Sequence, residues 1–262
     1  MEPMKILVCV KQVPEPDALI KIDADTGWIQ TEEICGFKMN RLDEFAVEEA
    51  VLIRAAFPHS SIDAVTVGPE RSADVIKRCI GMGADSGVHI ATASEKYQSS
   101  FETAGRIAEY ARDRHYDLIL TGAMSEDNMQ GQVGPMIARR LGLPWATSVI
   151  FEKIAADEKS VYVEREIEGG CRDTLALQLP AVLTIQSGIN TPRYPSLSNL
   201  LRANRTELDK IDAGDLAQGS SPEIIDRIVY PQKRRAGEIL KGTGEKKAAQ
   251  LVRILRERAL LP

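Results

Sequence analysis

The sequence predicts an α/β fold, namely a Rossmann-like three-layer domain with a mainly parallel sheet, an antiparallel β section and an extended C-terminal arm. Up to Pro144, short apolar runs alternate with amphipathic helical segments, which is typical of parallel strands joined by right-handed crossovers. After Pro144, β-branched runs follow one another across turn residues, which indicates antiparallel pairing. We therefore expect an α/β domain at residues 1–205 and an arm at residues 206–262.

The parallel half contains four apolar runs that we interpret as strands, at residues 6–10, 61–67, 88–90 and 117–121. Helices are predicted where apolar residues recur at helical spacing, at residues 41–56, 70–82 and 101–114 and in the stretch that ends near Gly142. Asn40 is expected to cap the first helix, with Asp43 completing a capping box three residues later.

Three alternating runs follow Pro144, at residues 148–154, 161–167 and 174–179, with Gly169-Gly170 as a turn between the second and the third. Residues 181–186 are mostly apolar and are expected to form a buried strand. Residues 187–231 are predicted to be irregular. The last thirty residues are predicted to be an extended arm with one terminal helix.

Composition excludes several classes of protein. The chain has 262 residues, of which 44% are hydrophobic and 27% are charged, and this is typical of a soluble globular protein. No apolar run approaches the roughly 20 residues that span a bilayer, so we expect no membrane insertion and a cytoplasmic location. The first apolar run is also shorter than the roughly 7–15 residues of a secretory signal. The cysteines (Cys9, Cys35, Cys79 and Cys171) form no C-x-x-C pair, so no metal site is expected.

The C-terminal arm is basic. Residues 232–262 contain nine Lys or Arg, among them Lys233, Arg234 and Arg235, against three Glu. Basic segments can bind nucleic acid, but aromatic residues do not interleave with these charges. We therefore expect a solvated arm or a partner-binding segment, and no nucleic-acid partner.

The stretch TGAMSEDNMQGQVGP, residues 121–135, joins a strand to a helix at the end of a parallel sheet, where ligands commonly bind. A helix N-terminus offers free N–H groups to a phosphate, and Gly131 and Gly134 would let the backbone approach it. Asp127 could accept a ribose hydroxyl or cap the helix. The common phosphate-binding fingerprints are missing, so the residues alone leave open a nucleotide site or a plain connector. No nucleophile and base pair requires an enzyme.

Eight segments, in order along residues 5–203, resemble the β subunit of electron-transfer flavoproteins. They are KILVCVKQVP, MNRLDEFAVEEAV, VGPERSADVIKRCIGMGAD, DLILTG, QVGP, VEREIEGG, LPAVLTI and NTPRYPSLSNLLRA. The resemblance implies a heterodimer in which the α subunit carries a redox-active FAD. It also implies that the β subunit is an electron-carrier subunit without catalytic residues and binds AMP.

The resemblance assigns nucleotide-binding roles by position, for AMP or FAD, to Cys9, Asn40, Arg41, Leu42, Asp43, Val67, Gly122, Ala123, Asp127, Asn128, Gly131, Gln132 and Val133. One departure affects the identity of the nucleotide. Many relatives read approximately G-R-Q-A-I-D-G-D-T-x-Q-V-G-P where this chain reads GAMSEDNMQGQVGP. A second FAD, as in electron-bifurcating relatives, is therefore an alternative to AMP. A stand-alone ATP-binding protein in the style of the universal stress proteins is a further alternative.

The resemblance also implies a surface for flavin-dependent dehydrogenases such as acyl-CoA dehydrogenases. Leu197 would be its anchor, because an exposed apolar residue on a Pro-flanked loop suits an interface. Tyr194, Pro195 and Arg202 would lie beside it. Contacts with the α subunit are expected from Arg165, Glu166 and the basic arm.

Overall fold

Most of the strands and helices lie where the periodicities described above predict them. The computed structural model describes residues 3–23, 25, 27–31, 34, 36–93, 98–216, 221–223, 225–231, 237, 239–258 and 260. Cys35 and the basic residues 233–235 lie outside these ranges. The chain divides into two units, Met1–Arg227 and Ile228–Pro262.

The first unit contains eleven described strands and five described α-helices. In chain order they are β1 (Lys5–Cys9), β2 (Gln12–Pro14), β3 (Phe37–Met39), α1 (Arg41–Ala56), β4 (Ser61–Gly68), α2 (Ala73–Met82), β5 (Ser86–Ala91), α3 (Ser100–Ala111), β6 (Leu118–Gly122), α4 (Val133–Leu141), β7 (Trp145–Ile154), β8 (Ser160–Glu166), β9 (Arg172–Gln178), β10 (Ala181–Ile185), α5 (Leu197–Ala203) and β11 (Asp209–Asp212).

Nine of the described strands form one sheet, in the order β11-β5-β4-β1-β6-β10-β7-β8-β9. The strands from β11 to β7 are parallel, whereas β8 and β9 are antiparallel. Side chains of β1 alternate between two buried clusters. Ile6 and Val8 face α1 and α2, while Leu7 and Cys9 face α3 and α4. These two helical layers, one on each face of the sheet, confirm the Rossmann-like three-layer prediction. Because the strands from β11 to β7 are parallel, their carboxyl ends lie at one edge of the sheet.

The prediction that residues 187–231 are irregular was wrong in two places. Residues 197–203 form α5, and residues 209–212 form β11, which pairs with β5 in parallel from Asp209 opposite Val88. β11 is an edge strand with mostly exposed side chains, so the sequence DKID lacks the apolar alternation of a core strand. The main sheet therefore includes residues beyond 205.

Two smaller differences from the predicted elements concern the segments before α1 and before α2. The Pro- and Asp-rich stretch after β1 contributes a short antiparallel pair, β2 with β3. Residues 70–72 form a 3-10 turn, so α2 begins at Ala73 rather than at residue 70.

The second unit contains one described helix, α6 (Gly244–Glu257), in which no residue is buried. Thr243 caps it by accepting a hydrogen bond from the Lys246 N–H group. None of the helices in the described ranges combines the length and the apolar character that a bilayer span requires.

A close contact between α2 and β5 gives a test of this packing. A Cβ atom added to Gly87 would lie 2.0 Å from Cγ2 of Ile76. We expect Gly87→Ala to lower the free energy of unfolding by about 1–3 kcal/mol, because β5 or α2 must shift to make room for the added methyl group. Urea unfolding measures this change.

Gly105→Ala is the matched control. Its Cβ atom would lie 3.4 Å from the flexible end of Arg140, inside helix α3. Alanine is favoured over glycine by about 1 kcal/mol in a helix, so we expect unchanged or slightly higher stability. Equal losses in both variants would contradict this account of the α2–β5 contact.

Candidate functional site

The candidate nucleotide site lies at the edge where β1, β4 and β6 end and where α1 and α4 begin. Cys9 ends β1 and is paired in register with Val65 of β4 and Thr121 of β6. Gly122 ends β6, and Val67 lies near the end of β4. The fold therefore brings the segments that carry the predicted nucleotide-binding residues to one edge of the sheet.

Asp43 is the central residue of this edge. Its buried carboxylate accepts hydrogen bonds from Lys11 N at 2.7 Å, Asn40 Nδ2 at 2.9 Å and Gly122 N at 3.1 Å. Burial raises the pKa of Asp43 to about 7, although the three hydrogen bonds oppose that rise. One side chain thus ties the segment after β1 to the start of α1 and to the end of β6.

Gly122 is required for this arrangement. A Cβ atom at this position would lie 2.3 Å from Oδ1 of Asp43 and 2.9 Å from its backbone nitrogen. Real Cβ atoms do not approach that closely, so only glycine allows β6 to end against the first turn of α1.

The predicted capping box between Asn40 and Asp43 was wrong. The Asn40 N–H group donates to Lys11 O at 2.9 Å and is not free for the Asp43 carboxylate. The Asn40 side chain makes no cap hydrogen bond; instead it donates to Met124 O at 3.0 Å and accepts from Glu126 N at 3.0 Å. Asn40 therefore anchors the loop that follows β6.

Two carboxylates of that loop already have cationic partners. Glu126 accepts a hydrogen bond from Arg41 N at 3.1 Å and lies 3.2 Å from Lys38 Nζ. Asp127 lies 2.6 Å from Lys11 Nζ. Glu126 thus occupies the N-terminus of α1, and Asp127 forms an ion pair instead of capping the next helix. Lys11, Lys38 and the role of Glu126 were missed, since long-range ion pairs leave no local signature in a sequence.

The N-terminus of α4 is partly exposed: Val133 is half-buried and Gly134 is buried. Its cap residue, Gln132, is exposed and makes no side-chain cap hydrogen bond. Within the described part of the chain, no acceptor binds the N–H groups of Val133 and Gly134. These groups carry the partial positive charge of a helix N-terminus, so they can bind an anion such as a phosphate.

The two glycines of this loop serve contacts within the protein. A Cβ atom at Gly131 would lie 2.7 Å from Ala123 O, and one at Gly134 would lie 2.5 Å from Cγ2 of Thr184. Gly131 lets the loop close on itself, and Gly134 lets α4 approach β10. Their approach to a bound anion stays a prediction.

The other predicted residues line the same edge with different exposure. Cys9 and Ala123 are buried, Leu42, Val67 and Asn128 are half-buried, and Arg41 is exposed. Burial, together with the charge of Asp43, raises the pKa of the Cys9 thiol far above its usual range. The thiol is therefore protonated and unsuited to nucleophilic chemistry. Across the described residues, no group of three His, Cys, Asp or Glu side chains is placed to hold a metal ion.

A separate surface lies on residues 187–196, which we name the docking loop, and on the following helix α5. Tyr194 and Leu197 are 88% and 74% exposed. Pro195 lies close to Gly81 of α2, where an added Cβ atom would be 3.2 Å from Cβ of Pro195. Leu197 is therefore free of its own domain, as its predicted role requires, and Arg202 is exposed on the same helix.

The predicted contacts to an α subunit lie on the antiparallel section. Arg165 of β8 is half-buried and its Nε atom has no hydrogen-bond partner among the described residues, while Glu166 is exposed. Phe151 and Tyr162 on the neighbouring strands are about 45% and 41% exposed and contact each other edge-on. Such partly exposed aromatic side chains are common at protein interfaces.

Comparison with known proteins gives a consistent family assignment. A family model described as the electron transfer flavoprotein domain matches residues 28–216. The mitochondrial electron transfer flavoprotein subunit beta of Oryza sativa subsp. indica is 32% identical over 246 residues, covering 92% of this chain and 95% of that protein. The electron transfer flavoprotein subunit beta of Bacillus subtilis (strain 168) is 30% identical over 262 residues, covering 98% and 99%. That of Dictyostelium discoideum is 35% identical over 235 residues.

The central role of Asp43 can be tested with Asp43→Asn. An amide has one acceptor oxygen, whereas three N–H groups point at the carboxylate, so we expect a loss of about 1–3 kcal/mol in the free energy of unfolding. Urea unfolding measures it. Asp74→Asn, at an exposed position of α2, is the control and should change stability by less than about 0.5 kcal/mol.

The loss of stability in Asp43→Asn should also depend on pH. The folded-state pKa of Asp43 is raised from 3.8 to about 7, so the native protein gains stability from the protonated form at low pH and loses it as pH rises through 7. Asparagine cannot titrate, so the stability difference between the two proteins should shrink from pH 5 to pH 8. A difference that grows over this interval would contradict the raised pKa.

Proposed function

Because this chain belongs to the electron transfer flavoprotein β-subunit family, we propose that it is the β subunit of a heterodimeric electron carrier. In this proposal it binds AMP structurally, supports the FAD of an α subunit and docks flavin-dependent dehydrogenases such as acyl-CoA dehydrogenases. It has no catalytic residue of its own. A cytoplasmic location stays a prediction.

The partly exposed start of α4 is the observation that carries the nucleotide proposal. The unpartnered N–H groups of Val133 and Gly134 suit one phosphate, beside an edge that Asp43 holds rigid. Glu126 already fills the start of α1, so a second phosphate would have to displace a carboxylate there.

The docking proposal is supported by the exposure of Leu197 and Tyr194. Burying a leucine side chain contributes about 1.5–3 kcal/mol, which is the size of an interface anchor. The proposed contact with the α subunit is supported by the exposed aromatic pair Phe151 and Tyr162 and by α6, none of whose residues is buried.

The nucleotide proposal predicts the content of the purified complex. Co-expression with an electron transfer flavoprotein α subunit of the same organism, followed by denaturation and mass spectrometry, should release one FAD and one AMP per heterodimer. Two FAD molecules would overturn the AMP assignment in favour of an electron-bifurcating carrier. A stable monomer that hydrolyses ATP would overturn the family-based function in favour of a stand-alone nucleotide-binding protein.

The docking proposal predicts the kinetics of Leu197→Ala. Electron transfer from an acyl-CoA dehydrogenase of the same organism to the heterodimer should show a KM raised about tenfold or more, because the loss of an anchor costs about 1.4 kcal/mol or more. The kcat should change little. Leu52→Ala, at an exposed position of α1, is the control with unchanged KM. An unchanged KM for Leu197→Ala would exclude Leu197 as the anchor.

A further inference from the structure

Two neighbouring glutamates of α1 are buried where charged residues are uncommon. Glu48 and Glu49 are 4% and 6% exposed. Buried carboxylates are costly unless they are paired, so their partners explain why they lie there. Both glutamates bind residues of the docking loop.

Glu48 holds Arg193 by three contacts. Arg193 Nε donates to Glu48 Oε2 at 2.8 Å, Nη2 donates to Oε1 at 2.8 Å, and the backbone N–H donates to Oε2 at 3.1 Å. Burial opposes the ionisation of Glu48, but the hydrogen bonds and charge of Arg193 outweigh it and lower the pKa of Glu48. This bidentate pair fixes the residue immediately before Tyr194.

Glu49 holds the loop three residues earlier. Asn190 Nδ2 donates to Glu49 Oε2 at 2.7 Å and to Phe45 O at 3.0 Å. Phe45, Glu48 and Glu49 lie within about one turn of α1, so a single rigid surface fixes the loop at two points. The contact of Pro195 with Gly81 of α2 adds a third.

A third carboxyl group faces this surface from the sheet. Glu152 of β7 contacts Glu49, and its Oε2 atom is buried without a hydrogen-bond partner in the described structure. Glu49 is buried, and Glu152 is half-buried with one buried oxygen. Two adjacent carboxylates in such surroundings cannot both be charged at low cost, so the pair retains one proton. Glu48 on α1 adds negative charge beside the pair, and Arg193 of the docking loop neutralises it.

We propose that Glu48 and Glu49 are positioning residues for the docking loop, and that Glu152 acts on the loop through its contact with Glu49. Glu48 and Glu49 present Tyr194 and Leu197 to a docking protein by fixing Arg193 and Asn190. This inference rests on the proposed docking function. It adds two residues, Glu48 and Glu49, that need not contact the docking protein. It also adds a pH dependence of how firmly the docking loop is fixed.

The direction of that dependence follows from the shared proton. Burial, and then the charge and contact of Glu49, raise the pKa of Glu152 to about 8, and burial raises that of Glu49 as well. Above this pH both carboxylates are charged and repel each other next to Glu48. The contact between Glu49 and Asn190 should therefore weaken as pH rises through about 8.

Hydrogen–deuterium exchange of the heterodimer tests the positioning role without any docking protein. After correction for the intrinsic exchange rate, peptides covering residues 187–204 should exchange about tenfold faster at pH 9 than at pH 7. Glu152→Gln should abolish this difference, since a glutamine amide can donate to Glu49 at either pH. Glu48→Gln should raise exchange at both pH values. Glu109→Gln, at a half-buried position of α3, is the control and should match the parent protein.

Arg193→Gln breaks the same ion pair from its exposed side and keeps the test valid if Glu48→Gln fails to fold. Unchanged exchange of residues 187–204 in Arg193→Gln, or a pH difference that persists in Glu152→Gln, would overturn the proposal. The kinetic assay separates this inference from the docking function. If Arg193→Gln shows faster exchange and a raised KM, the positioning role and the docking function are both upheld. If it shows faster exchange and an unchanged KM, the positioning role is upheld and docking by this loop is overturned.

Discussion

The buried carboxylate of Asp43 is the interaction on which the candidate nucleotide site depends. It joins three segments that are far apart in sequence, through backbone N–H groups of Lys11 and Gly122 and the side chain of Asn40. Burying a carboxylate is unfavourable, as its raised pKa reflects, and the three donors offset that cost. Because two of the donors are backbone groups, the carboxylate fixes where β1 and β6 end relative to α1. The geometry of the edge is therefore set before any ligand binds.

Much of the fold could be predicted from the sequence because its core strands are locally distinctive. The apolar runs at β1, β4, β6 and β10 are bounded by turn residues, so periodicity alone locates them. The edge strand β11 could not be found this way, since only one of its four side chains is partly buried. The helix α5 was missed because its seven residues follow a Pro-rich loop and carry no long apolar stripe.

The candidate site was predictable in position but not in its internal pairing. The position follows from the topology of parallel sheets and from the strand, loop and helix order at residues 117–141. The pairing of Glu126 with Lys38 and of Asp127 with Lys11 follows from contacts between residues about 90 and 116 apart in sequence, which no local pattern records. The same limit applies to the capping box. Its spacing was present, but Lys11 O had already bound the Asn40 N–H group.

The central place of β10 in the sheet has a consequence for the order in which the chain folds during synthesis. β10 lies between β6 and β7 and is made after both, after β8 and after β9. Until residues 181–185 leave the ribosome, β6 and β7 each present an unpaired edge, and no strand pairing joins the antiparallel section to the parallel strands. Nascent chains that end before Ala181 therefore expose two strand edges of the kind that chaperones protect from aggregation. The pairing of the antiparallel section with the parallel strands therefore waits on a strand of five residues.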